Sequence, residues 1–201
     1  MFLYELFSVI DREISLINLA RMQDDRATES RQIEESKSNP ECFEAIYIKY
    51  YEPILKFVYK RIENLNDCRD VTSTVFAKAL INIRKYKDFG FPFSSWLYRI
   101  ATNEVTQFYR NKSKIRIISI DENSIQNLIE ETGNKNTEHV AVLKKSLLYL
   151  SEEELTLIEL RYFEDRPFSE VSQILKITEG NAKVRTYRVI DKLKKIYAKL
   201  S

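Results

Sequence analysis

Glycine is scarce in this chain, with three residues in 201, and proline occurs four times. An all-β fold threaded by tight turns draws more heavily on both, so the scarcity points to long helices. Cysteine is limited to Cys42 and Cys68, with no CxxC spacing, and His139 is the sole histidine. That excludes the common Cys/His zinc sites and a disulfide framework, and it fits a reduced, cytoplasmic setting. No GxGxxG or Walker loop is present, and a nucleophile would have one histidine in the whole chain to serve as its base. No enzyme activity, metal or cofactor is therefore expected. Uninterrupted apolar runs are missing too. Met1 to Ala20 is apolar in places but carries Glu5, Asp11, Arg12 and Glu13, so neither a signal peptide nor a membrane span is expected there.

The formal charge of +2 is close to neutral, but it is unevenly laid out. From Lys176 onward stand Lys176, Lys183, Arg185, Arg188, Lys192, Lys194, Lys195 and Lys199, against Glu179 and Asp191. The preceding stretch, Ser151 to Leu175, carries Glu152, Glu153, Glu154, Glu159, Glu164, Asp165 and Glu170 against Arg161 and Arg166. The C-terminal part of the chain is polarised, acidic first and basic last.

Apolar spacing organises the chain into helices. In an N-terminal helical or frayed arm, 1–38, helical spacing runs through Leu3, Leu6, Phe7, Ile10, Ile14 and Ile17. Asn39-Pro40 is a good helix start, and Phe43, Ile46, Tyr47, Tyr50, Ile54, Phe57 and Val58 then recur at steps of three and four, with a kink expected at Pro53. A second helix is expected after Asp67, burying Val71, Val75, Phe76, Ala79, Leu80 and Ile83. An aromatic turn, Tyr86 to Phe93, leads into a third helix over about Ser94 to Asn111, burying Leu97, Ala101, Val105 and Phe108. These elements make a first domain, 39–112. Weak periodicity and Asn, Ser and Thr mark 113–136 as a linker. A second domain, 137–201, opens with Val140, Leu143 and Leu147 on one helix face, followed by a capping box at Ser151-Glu-Glu-Glu154. A short helix with Phe168, Val171 and Ile174, a turn at Lys176-Ile177-Thr178, and a longer basic helix then form a helix-turn-helix. The expected fold class is all-α, two small helical domains joined by a flexible linker.

Two surfaces could carry chemistry. With Ala182, Thr186, Val189, Leu193 and Ile196 facing inward, the last helix turns Asn181, Lys183, Val184, Arg185, Tyr187 and Arg188 outward near its N-terminus. A recognition helix presents base-reading side chains there, although a basic helix can also merely offset its own dipole. On the third helix, Trp96, Arg99, Asn103, Gln107 and Arg110 share a narrow strip. One aromatic, two guanidiniums and two amides suit melted DNA, whose bases stack on rings and whose backbone meets cations. Phe89, Phe91 and Phe93 could hold a flipped base, but core packing explains the phenylalanines better, and for Trp96 both readings stand. Asp67 and Asp70 are explained by helix capping alone.

These residues resemble the extracytoplasmic-function group of bacterial alternative sigma factors, over about Glu41 to Lys114 and Val140 to Leu200. The family has two helical domains, called regions two and four, joined by a flexible linker. The resemblance implies binding of core RNA polymerase, at the clamp helices of its largest subunit and at its flap, and of promoter DNA. An anti-sigma factor often restrains such proteins. Asp67-Cys-Arg-Asp70-Val-Thr-Ser73-Thr-Val-Phe76 is similar to the family's polymerase-binding helix, with Ser73 where glutamine is usual. Phe93-Ser-Ser-Trp96-Leu-Tyr-Arg99-Ile-Ala-Thr-Asn103 is similar to its promoter-melting helix, extended here to Arg110, and the turn bearing Phe89 lies where the family captures a base of the minus-ten element. Phe168 to Leu175 and Gly180-Asn-Ala-Lys183-Val-Arg185 are similar to the helix-turn-helix that reads the minus-thirty-five element. Asp165, Pro167 and Lys176 replace the family's glycine, serine and glycine: Asp165 is expected to cap the next helix, and Lys176 to need an unfavourable backbone angle. A conventional helix-turn-helix regulator, binding duplex DNA without polymerase, is the alternative. A helical adaptor with a merely solubilising basic tail is a third.

Overall fold

The computed structural model describes residues 25–62, 64–112 and 138–200, among which there is no strand. The spacing of Leu3 to Ile17, the linker 113–136, the helix start at Thr137 and the side chain of Val140 lie outside the described residues. Among the described residues, no helix is long and apolar enough to cross a membrane.

The helices are α1 (25–38), α2 (Glu44–Tyr59), α3 (Leu65–Asn82), α4 (Phe93–Lys112), α5 (Glu138–Leu147), α6 (Glu152–Ile158), α7 (Phe168–Leu175) and α8 (Glu179–Leu200). Asn39 starts a 3₁₀ turn, Pro40–Phe43, by accepting the Glu41 N–H, and α2 follows directly. α2 continues through Pro53. α3 begins two residues earlier than its acidic pair suggests, because Asn64 caps it, accepting from the N–H groups of Asn66 at 2.9 Å and Asp67 at 3.1 Å. Asp67 is left in the first turn with Asp70 one turn further on, so the cap is an amide rather than a carboxylate.

Two compact units share the described chain. One holds 25–50 and 80–86. Its buried side chains are Ile33, Ser36, Phe43, Ile46 and Ile83, and Glu29 of α1 takes both Lys49 at 2.7 Å and the Tyr50 hydroxyl at 2.6 Å. Arg84 ties down the end of α1 by donating from Nε to the Lys37 carbonyl, 2.9 Å away.

The second unit holds 51–79 and the described residues from 87 onward. Ile54, Phe57, Val58, Val75, Leu97, Ala101 and Val105 are buried in it. Phe57 meets Tyr98 edge-on at 4.9 Å, and Tyr51 lies 6.2 Å from Phe76. Tyr109, rather than Phe108, occupies the inward position near the end of α4, its hydroxyl donating to the Arg61 carbonyl; Phe108 is partly exposed and stacks edge-on against it. Burial pushes the Cys68 thiol up, aided by the charge of Asp67, and its Sγ donates to the Ile62 carbonyl. Further along, Leu143, Leu147, Leu155, Ile158, Leu160, Val171, Ile174, Val189 and Leu193 are buried. The Ser151 box is complete: its Oγ accepts the Glu154 N–H while the Glu154 carboxylate accepts the Ser151 N–H. α6 passes into a π-turn, Glu159–Phe163, with the Glu164 N–H reaching back five residues to the Glu159 carbonyl.

Candidate nucleic-acid interface

The helix-turn-helix is α7, a three-residue turn and α8. Lys176 closes α7 in the left-handed conformation, φ 55° and ψ 45°, and the Ile177 N–H returns to the Ser172 carbonyl at 3.0 Å. The unfavourable angle expected there is thus present in a residue that carries a Cβ. Asp165 does not cap α7. It too has positive φ, 48°, its carboxylate pairs with Arg161 at 3.1 Å, and Pro167 stands at the helix start without any side-chain cap. Thr178 does act at the start of α8, its hydroxyl accepting the Asn181 N–H at 3.3 Å.

On α8, Ala182, Thr186, Val189, Ile190 and Leu193 are buried, and Ile196 is partly exposed. Thr186 can be buried because its hydroxyl donates to the Ala182 carbonyl, 2.8 Å away. All six outward candidates, Asn181, Lys183, Val184, Arg185, Tyr187 and Arg188, are exposed. Arg185 is held by donating from Nε to Asn181 Oδ1 at 2.9 Å, and Tyr187 lies 6.2 Å from Phe168 of α7. These contacts pre-position a fork and a ring on a surface that could reach into a major groove. Deeper along α8, Lys192 reaches Glu154 at 2.6 Å. Burial raises the Glu154 carboxyl, but the Lys192 bond and charge and the Ser151 N–H outweigh it and hold the group below its usual range.

On α4, Asn103, Gln107 and Arg110 are exposed while Trp96 and Arg99 are half-buried, where desolvation lowers the Arg99 guanidinium. The aromatic candidates separate. Phe89 is 72% exposed, whereas Phe93 is 2% exposed and carries Trp96 at a ring distance of 5.3 Å. Phe93 is core, and the indole rests on it. Of the residues in the Asp67–Phe76 segment, Asp70 and Ser73 are exposed, Asp67 is partly so, and Phe76 is buried against Tyr51. Phe76 therefore presents no side chain outward; it fixes the helix that displays the polar residues.

One grouping was not legible in the chain. Arg110 of α4 and Arg185 and Arg188 of α8 line the same cleft, of about 810 Å³, together with Glu152, Glu153 and Glu154. The acidic and basic segments read from the sequence as a simple polarity thus both contribute to the lining of one space.

Known proteins match this arrangement. The sigma-70 region 2 model matches residues 46–115 and the sigma-70 region 4 model matches 147–195, together more than half of the chain. The ECF RNA polymerase sigma factor SigW of Bacillus subtilis is 26% identical over 170 residues, 79% of this chain and 90% of that protein. SigM of the same organism, also an ECF RNA polymerase sigma factor, is 25% identical over 158 residues, covering 76% and 93%. Among solved structures, CnrH in complex with the cytosolic domain of CnrY shares the fold, with a TM-score of 0.56 at 18% identity over 85% of this chain and 97% of that one. A conventional helix-turn-helix regulator would account for α7 and α8 but not for a region 2 match over α2 to α4. This chain belongs to the sigma-70 family of RNA polymerase sigma factors, in its extracytoplasmic-function group.

Proposed function

We propose that the chain binds core RNA polymerase through the exposed face of α3, with Asp67, Asp70 and Ser73, and opens and reads the minus-ten region with the α4 strip of Trp96, Arg99, Asn103 and Arg110 and the exposed Phe89. Asn181, Lys183, Val184, Arg185, Tyr187 and Arg188 of α8 read the minus-thirty-five element. The observation that carries this reading is the α8 surface: six consecutive outward positions, all exposed, on the N-terminal half of a helix held by a turn at Lys176. The work is binding alone, in the cytoplasm, with no catalytic group. Extruding a base from the duplex costs a few kcal/mol by order of magnitude, returned here by stacking on the indole and by cationic contacts. The flap of the polymerase is a second docking point, and an anti-sigma factor is a natural restraint on such a protein.

The test mixes the purified chain with core RNA polymerase and a panel of promoter fragments, reading run-off transcripts and permanganate-reactive thymines. Trp96→Ala should lose opening while retaining core binding. Full permanganate reactivity in that variant would remove the indole from the mechanism.

A further inference from the structure

α2 buries Ile46, Ile54, Phe57 and Val58, and a second apolar line runs along its other side. Ile48 is 69% exposed, Tyr59 is 51% exposed, and Leu55 between them is partly exposed. At 100° per residue the three fall within about 40° of one another, and they span about 17 Å of helix. Single apolar side chains on a surface are ordinary, but a line at spacings of seven and four is the seam against which a second helix packs. An open groove of about 460 Å³ flanks it, lined in part by Pro53, Lys56 and Tyr59. None of these residues belongs to the surfaces assigned above to polymerase or DNA.

The sequence ahead of α1 repeats that spacing. Leu3, Ile10 and Ile14 stand at the same intervals of seven and four, and Phe7 and Ile17 share their face, within about 80° in all. Glu5, Asp11, Arg12 and Glu13 all fall outside it. The path of α1 delivers this segment to α2. Glu29 holds Lys49 at 2.7 Å and Tyr50 at 2.6 Å, and α1 passes through the short turn Pro40–Phe43 directly into α2, so the two helices run antiparallel. Residue 25 therefore begins about one turn beyond Lys49 and Tyr50, level with the middle of the Ile48–Tyr59 line. Residues 18–24 reach about 23 Å when extended, roughly twice the width of a helix with its side chains. That is enough to carry 3–17 around α2 onto the line. The sigma-70 region 2 match begins at residue 46, so this segment lies outside the part shared with the family model.

We propose that residues 3–17 form an amphipathic helix that docks on α2, setting Leu3, Phe7, Ile10, Ile14 and Ile17 against Ile48, Leu55 and Tyr59. The tether decides the occupant. A short linker gives the segment an effective concentration on the order of millimolar at its own α2. A second copy of the chain has no such advantage, and a line of three side chains buries far less than the roughly 1,200–2,000 Å² of a stable interface. A lipid surface is disfavoured by charge, because Glu5, Asp11 and Glu13 stand against Arg12 alone and anionic headgroups repel them.

Hydrogen exchange read by mass spectrometry on the full chain tests the docking. A helix of this length is marginal in water by itself, so slow exchange within 3–17 reports a partner surface. Those amides should exchange at least about tenfold more slowly than in an unstructured peptide of the same sequence. Ile48→Gln with Tyr59→Gln, both at exposed positions, should abolish that protection while α3 and α4 exchange as in the parent. In the reciprocal measurement, Ile10→Gln with Ile14→Gln should raise the oxidation of Tyr59 by hydroxyl radicals. Unprotected amides in the parent, protection that survives the α2 double variant, or Tyr59 oxidation unmoved by the arm variant would each overturn the proposal. Protection confined to a species of doubled mass in light scattering would assign the face to a second copy instead. Protection that needs vesicles of phosphatidylcholine and phosphatidylglycerol would assign the segment to lipid, and either result also overturns the docking.

Discussion

Lys176→Gly should stabilise this protein, although it deletes a long side chain. Lys176 sits at φ 55° and ψ 45°, where the Cβ of an L-residue crowds its own carbonyl at a cost of roughly 1–2 kcal/mol. Glycine has no such clash, but it adds backbone freedom to the unfolded chain, worth about 0.5–1 kcal/mol against folding. Lys176 is exposed and forms no ion pair among the described residues, so little else changes. The balance is a gain of about 0.5–1 kcal/mol, which for a chain of this size raises Tm by about 1–4 °C. Thermal unfolding followed by circular dichroism is the assay, with Lys176→Ala as the control. Alanine keeps the Cβ and should stay within about 0.5 kcal/mol of the parent. If glycine lowers Tm while alanine does not, the left-handed turn is not the strained point it is taken to be here.

Phe93→Ala should cost about 3–5 kcal/mol, since the ring is fully enclosed and supports Trp96; a Phe93→Ala protein of parental stability in urea titration would show that the ring is dispensable to the core. Arg188→Ala should weaken upstream element binding by about 1–3 kcal/mol if it forks onto a base, and the loss should depend on the base pair contacted; a loss uniform across sequences would instead mark a phosphate contact. The Glu154 carboxyl is held below its unfolded value, so its contribution is complete above about pH 4.5 and vanishes as pH falls through the folded value. Lys192→Met should therefore flatten the acid side of the stability curve, and an unaltered acid limb in that variant would argue that the Lys192–Glu154 bond adds nothing to folding.

Much of this was readable in the chain because it depends on local rules. The buried stripe of α8, the Ser151 capping box and the turn at Lys176 each follow from spacing and backbone chemistry within a few residues. Misreadings came where local signals compete. Asp67 reads as a helix start because carboxylates favour first turns, yet Asn64, immediately before α3, makes the capping bonds. Phe108 and Tyr109 are adjacent aromatics, and the one whose hydroxyl finds a carbonyl took the buried place. Periodicity cannot decide between such neighbours. The buried ion pair of Arg61 with Glu159 was beyond reach for a different reason: 98 residues separate the two, and neither breaks a pattern in its own segment. Likewise the exposed Phe89 and the enclosed Phe93 carry the same side chain, and only the path of the turn at Gly90, φ 84°, sets one outside and one inside.

The helix 25–38 has a bearing on how the protein can be handled. The sigma-70 region 2 match begins at residue 46, but Ile33 and Phe43 lie in the same enclosed unit as Ile46 and Ile83, and Glu29 and the Lys37 carbonyl anchor partners in later segments. A fragment trimmed to the shared boundary would lose one wall of that module and lay bare the greasy side chains it covers. Aggregation or poor yield from such a fragment would then report a missing structural part rather than an intrinsically unstable first domain.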